Sequence, residues 1–452
     1  MKNESSPERS LVRGIRRWDL VAVTINGIIG AGIFGLPSRT YALIGTYSLL
    51  AFVACALVVT LIILCFAEVG SRFETTGGPY VYAREAFGET VAFEVGWLIW
   101  LARLTAFAAN CNLMVSYLGF FWPRANDAVP RAIIIVAVVI LLAALNIFGV
   151  RQAAIASNLF TVGKLIPLII FIAAGLFFIS PKAYAFGPAP SAGAFSQSVL
   201  LLIYAFTGFE MAAIPAGEIR NPQKYLPRAL LIAIAVVAVI YIFVQIVCIG
   251  TLPGLGSSTK PLADAGQHFL GTAGGAIISA GAIISIVGNL NILVLSGSRV
   301  PFAIAEQKQL PAFLARVHQR FSTPHVAIIV TAAVMMILTL KSSFAAALTI
   351  SAIARLVTYV ATCVALPVLR RRKDVAAAVF KVPGGSIIAV VSLILAAWLL
   401  TNNLLGDLRA SKPWWAIEAI QATMAAAAGL LIYLTYRALR YNFRRANGSS
   451  DS

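Results

Sequence analysis

Long apolar runs, each bounded by charges or by glycine and proline, divide the chain into about twelve segments. They lie near 19–44, 46–68, 91–121, 131–149, 156–179, 196–218, 227–251, 273–300, 324–340, 343–369, 383–405 and 414–436. A membrane-spanning helix needs about 20 apolar residues, and the periodicity is helical or unbroken. The ~10-residue alternation of an outer-membrane β-strand is not seen. The pattern predicts an all-α polytopic membrane protein of twelve transmembrane helices. A single transmembrane domain would cover 19–436, between tails at 1–18 and 437–452. The first run is too long and too glycine-rich for a removed signal peptide.

Two spans are interrupted. The first reads Thr24-Ile25-Asn26-Gly27-Ile28-Ile29-Gly30-Ala31-Gly32-Ile33-Phe34-Gly35-Leu36-Pro37. Each glycine weakens a continuous helix by about 1 kcal/mol relative to alanine. The sixth reads Tyr204-Ala205-Phe206-Thr207-Gly208-Phe209-Glu210, followed by Pro215 and Gly217. Unwound backbone is tolerated at membrane depth only where it faces protein or a polar cavity. Breaks in spans 1 and 6 point to a 5+5 inverted repeat. The repeats would cover about 19–179 and 196–369, with two peripheral helices over 383–436. A broken helix exposes N–H groups at the start of one half and carbonyls at the end of the other. Two facing breaks therefore suit a zwitterion, whose carboxylate and ammonium need opposite partners.

Composition agrees: 60% of the 452 residues are hydrophobic and 12% charged, and the mean hydropathy is +0.88. The net charge of +18 would suggest nucleic acid in a soluble chain. Here the cations report orientation instead. With the N-terminus cytoplasmic, about two-thirds of Lys and Arg fall on that side, and roughly three to one satisfies the positive-inside rule. Both termini are therefore expected in the cytoplasm. Arg103, Lys164 and Arg355 sit inside apolar segments. The cysteines Cys55, Cys65, Cys111, Cys248 and Cys363 all fall within spans and offer no disulfide or metal framework. No phosphate-binding loop, nucleophile elbow or zinc-protease motif is present. No enzyme, cofactor, metal or nucleic-acid partner is expected.

The chain resembles the amino acid–polyamine–organocation transporters, whose fold is like that of the leucine transporter. The resemblance runs through about the first ten spans. It rests on Gly27-Ile28-Ile29-Gly30-Ala31-Gly32-Ile33-Phe34, Gly77-Gly78-Pro79-Tyr80-Val81-Tyr82 and Phe87-Gly88. It continues through Phe206-Thr207-Gly208-Phe209-Glu210, Ala216-Gly217-Glu218, Asn221-Pro222, Leu310-Pro311 and Thr323-Pro324. It implies that a substrate carboxylate meets the backbone of Gly30, Ala31 and Gly32. The ammonium would meet carbonyls near Ile28 and from Tyr204 to Thr207. Tyr204 is similar to the aromatic residue that closes over substrate, with Phe206 the competing candidate. Glu210 matches an acidic residue in the span-6 break, as a plug for unwound backbone or a proton carrier. Lys164 matches a lysine that takes a sodium ion's place in sodium-independent relatives, with Ser285 as a possible neighbour.

Arg103, Phe107, Asn110 and Met114 form one helical stripe in span 3, which the resemblance aligns with the side-chain pocket. Arg103 either faces the substrate or forms an internal ion pair, for example with Glu210 or Glu94. Arg355, flanked by Ser351 and Tyr359 on one helical face, reads as structural. The expected function is sodium-independent secondary transport of amino acids by alternating access across the cell membrane, proton-coupled or by exchange. Neutral or acidic amino acids are the expected substrates, and lipids the other contact. A polyamine or organic-amine permease would need more deeply placed acids. A non-transporting membrane sensor is the alternative of another class.

Overall fold

The computed structural model describes residues 16–74, 77–148, 165–214, 216 and 219–447. Lys164, Pro215, Gly217 and Glu218 lie outside them. Among the described residues the chain is helical, without a β-strand. The helices are α1 Arg17–Ile28, α2 Gly32–Ile44, α3 Ser48–Gly70, α4 Pro79–Phe87, α5 Glu89–Leu118 and α6 Ala128–Phe148. There follow α7 Leu165–Phe178, α8 Ala192–Phe206, α9 Pro222–Thr251 and α10 Pro261–Glu306. The last four are α11 His325–Lys341, α12 Phe344–Arg371, α13 Gly385–Arg409 and α14 Glu418–Asn447. Nine helical stretches among the described residues are long and apolar enough to cross a membrane, and α7 and α11 are shorter apolar helices. The chain is thus a multi-pass membrane protein.

Local chemistry sets the boundaries. The Asp19 carboxylate accepts from the Arg16 N–H (3.1 Å) at the start of α1. Ser191 and Ser343 cap α8 and α12, each accepting from a backbone N–H three residues on at 3.2 Å. Pro79 opens α4, a short helix that hydropathy alone does not single out. The predicted 273–300 span is the longer arm of α10, which bends at Gly271. The predicted spans 19–44 and 196–218 are both broken in the structure, at Ile29–Ala31 and after Phe206.

The helices sort into inner and outer groups. Two-thirds (67%) of the apolar windows of α5, α8 and α12 is buried, against 17% for α6 and α14 and 28% for α13. The outer helices expose apolar side chains such as Ile133, Ile140, Leu431 and Leu434, as a lipid-facing surface requires. Lipid tails are as apolar as leucine, so close packing rather than hydrophobic segregation holds such helices together. A Cβ on Gly32 would lie 2.7 Å from the Ala205 Cα, locking α2 against α8. A Cβ on Gly281 of α10 would overlap the Pro167 ring of α7.

Gly281→Ala should therefore lower stability in detergent by about 1–3 kcal/mol. Gly406→Ala, where nothing lies within 4 Å, should be neutral or slightly stabilising. Thermal unfolding of the two variants checks the contrast, and equal melting temperatures would contradict the α7–α10 packing.

Candidate functional site

The site grows from the two helix breaks. At the end of α1, Ile29 takes extended torsions (φ −71°, ψ 96°). Helical turns resume with the Phe34 N–H on the Ala31 carbonyl at 3.0 Å. This leaves carbonyls at the end of α1 and N–H groups at the start of α2 without partners inside a helix. At the end of α8, Thr207 is extended and Gly208 has φ +109°. Phe209–Ala212 then form a single tight turn. The Thr207 hydroxyl donates to the Tyr204 carbonyl (2.8 Å), and the Gly208 N–H donates to Glu210 Oε2 (2.9 Å).

The breaks touch through their main chains. A Cβ on Gly27 would sit 2.9 Å from the Gly208 carbonyl oxygen, and one on Gly208 would overlap the Gly27 carbonyl. Tyr241 of α9, fully buried, places its hydroxyl 3.2 Å from the Ile28 carbonyl and 3.1 Å from the Ala205 carbonyl. One phenol thus serves acceptors on both broken helices.

Between the breaks lies a small cavity of about 40 Å3. Ile28, Gly30, Ala31 and Gly32 line it from the first break, and Tyr204 and Thr207 from the second. Asn110 of α5, Asn289 of α10 and Arg355 of α12 add polar side chains to the wall, beside the apolar Met211, Ile292 and Leu293. The polar side chains are ordered by one another. The Tyr204 hydroxyl donates to Asn110 Oδ1, and Asn110 Nδ2 donates to Asn289 Oδ1 at 2.9 Å. Asn289 lies so close to Gly30 that a Cβ there would be 2.8 Å from its Nδ2.

Other residues singled out in the sequence do not line this cavity. Phe206 packs edge-on against Tyr241 with ring centroids 5.1 Å apart. Phe107 is fully buried. Arg103 is buried, and its Nη1 donates to the Ser296 carbonyl of α10 at 2.7 Å. Ser285 is buried, its hydroxyl without a hydrogen-bond partner among the described residues. The proposed relation of Ser285 to Lys164 falls outside them.

Glu210 is paired with Arg355, not with Arg103. Its Oε1 meets Arg355 Nη1, while Oε2 accepts from the Tyr359 hydroxyl at 2.8 Å and from the Gly208 N–H. Arg355 and Tyr359 are one turn apart on α12, so a single helical face presents both donors to the second break. Arg103, on α5, is committed to α10 instead. Arg355 both lines the cavity and holds the acid that braces the break.

Sequence reasoning passed over Tyr241 and Asn289. A tyrosine inside an apolar run reads as packing. The polar pair Asn289 and Asn291 was the available signal in α10, and Asn291 pairs with Asn146 of α6 at 2.9 Å.

A family model described as amino acid permease matches residues 15–425. The chain belongs to the amino acid permease family. Three curated relatives come from Bacillus subtilis strain 168. A serine/threonine exchanger is 31% identical over 86% of this chain and 90% of its own length. A branched-chain amino acid permease is 27% identical over 88% and 90%. A methylthioribose transporter is 26% identical over 87% and 89%. The family is one of transporters, and amino acid transport across a membrane is the permease's class of function.

Removing the Glu210 charge would leave Arg355 buried without its counter-ion, which typically costs about 3–5 kcal/mol. Glu210→Gln should unfold at a clearly lower temperature than the wild-type permease. Adding Arg355→Met to that variant should restore part of the loss. A single variant that melts with the wild type would show that the ion pair does not brace the second break.

Proposed function

We propose that the permease is a sodium-independent secondary transporter of small neutral amino acids, working by alternating access. The contact between the two helix breaks carries this reading. It sets the carbonyl end of α1 and the N–H end of α2, which flank the first break, against the end of α8 at one cavity, an arrangement suited to an ammonium and a carboxylate on one carbon. The substrate carboxylate would lie on the N–H groups of Gly30, Ala31 and Gly32. The ammonium would lie near the carbonyls of Ile28 and of the turn from Tyr204 to Thr207, with Tyr204 closing over it. Asn110 would meet a short polar or apolar side chain. Phe107 and Phe206 support the wall from behind, and Arg103 acts on selectivity only through that support.

Size and charge narrow the substrate class. The cavity of about 40 Å3 has room for only a few waters, so the pocket favours short side chains. Arg355 is the single charged lining residue among the described ones and is matched by Glu210. Neutral zwitterions suit that balance better than cations or polyamines, for which no free acid lines the cavity among the described residues. The full reading has twelve spans in a 5+5 inverted repeat, two peripheral helices and both termini in the cytoplasm. Lys164 would hold the place of a sodium ion, with Ser285 near it. Glu210 and Lys164 are the groups through which coupling would act.

Uptake by purified permease in proteoliposomes tests the assignment. Alanine or serine should compete at least about tenfold better than the corresponding decarboxylated amine, as expected for losing one charge-assisted set of hydrogen bonds worth about 1.5–3 kcal/mol. Replacing sodium by choline should leave uptake unchanged. Equal competition by the amine would overturn the carboxylate site, whereas strict sodium dependence would overturn the sodium independence and the role given to Lys164 while leaving the carboxylate site standing.

A further inference from the structure

A second cavity, of about 720 Å3, opens where the end of α3 meets the loop between α12 and α13. Its size is that of a small-molecule site. Arg72, Arg370, Arg372, Lys373 and Lys381 line it, with Glu68 the lining carboxylate. Polar bonds pin the loop in place. Glu68 Oε2 accepts the Val382 N–H at 2.8 Å, Ser71 Oγ accepts the Phe380 N–H at 3.1 Å, and Arg72 Nη1 donates to the Ala376 carbonyl at 3.0 Å.

The charges do not cancel. Fully buried Glu68 takes two Arg370 nitrogens at 2.6 and 2.7 Å and also faces Arg72 at 3.8 Å. Arg372 is matched by Glu85 at 3.4 Å and by Asp374. Lys373 and Lys381 have no carboxylate partner among the described residues. Three carboxylates therefore answer five cations. Arg72 is only 8% exposed, and its buried Nε has no hydrogen-bond partner among the described residues. An unpaired guanidinium donor inside a cationic cavity calls for an anionic oxygen.

Position narrows the ligand. Glu68 lies near the end of α3, Arg370 near the end of α12, and Gly385 opens α13. The cavity thus sits at the level where spans end and lipid headgroups lie. We propose that it binds a phosphate group, supplied either by the headgroup of an anionic phospholipid or by a free phosphate ester. Arg72 supplies the directional donor, and Lys373 and Lys381 supply mobile charge.

The test uses the full-length permease in detergent. Native mass spectrometry would compare short-chain phosphatidylglycerol with phosphatidylcholine, and calorimetry would titrate inorganic phosphate. Phosphatidylglycerol should be retained at least about tenfold better. Lys373→Ala/Lys381→Ala should abolish that preference without lowering the melting temperature, because both side chains are outside the Glu68 network. Lys373→Arg/Lys381→Arg should keep it. Phosphate binding that depends on the two lysines, with no preference between the lipids, would support the site and identify the free ester as ligand. If neither phosphatidylglycerol nor phosphate responds to the double alanine variant, the proposal is overturned.

Discussion

A peptide group in hydrocarbon has no water to bond, and each one left unsatisfied costs several kcal/mol. The two breaks, at Ile29–Ala31 and Thr207–Gly208, concentrate that liability at one place. Much of the surrounding architecture answers it. Tyr241 reaches in from α9 to two carbonyls, the Thr207 hydroxyl folds back on Tyr204, and Glu210 accepts the Gly208 N–H. α12 then supplies Arg355 and Tyr359 to hold Glu210 itself. Backbone of both breaks, at Gly30–Gly32 and Thr207–Gly208, also lines the cavity between them.

The Glu210–Arg355 pair is better understood as a positioning device than as a source of stability. Desolvating two charges can offset their attraction, and a well-packed apolar substitute is often as stable. What an apolar pair could not do is accept the Gly208 N–H while gripping α12. The same distinction applies to the α3–α13 junction. There Glu68 organises Arg370 and a loop N–H, and an excess of positive charge is left at the surface.

Legibility in the sequence followed the range of the interaction. The breaks were visible because glycines at 27, 30, 32 and 208 act on their own stretch of backbone. The apolar spans and the helical stripe that carries Asn110 are local or periodic properties too, whereas Tyr204 was picked out by the resemblance. Tyr241, Asn289 and the pairing of Glu210 with Arg355 were not visible, since each joins helices far apart in sequence. Arg103 illustrates the limit: its depth in the membrane was readable, but its acceptor is a carbonyl, and carbonyls leave no mark in a sequence. The α4 helix escaped hydropathy because it is short and framed by glycines rather than by an apolar run.

The contact between Gly27 and Gly208 is made by main-chain atoms, which no substitution elsewhere replaces. The part of the cavity built from main chain is therefore nearly closed to variation. Asn110, Tyr204 and Asn289 line the same cavity through side chains, which substitution can alter, though their mutual hydrogen bonds tie any change at one to the others. Substitution can therefore reshape the side-chain part of the cavity, while the glycine junction leaves room for no side chain at either position.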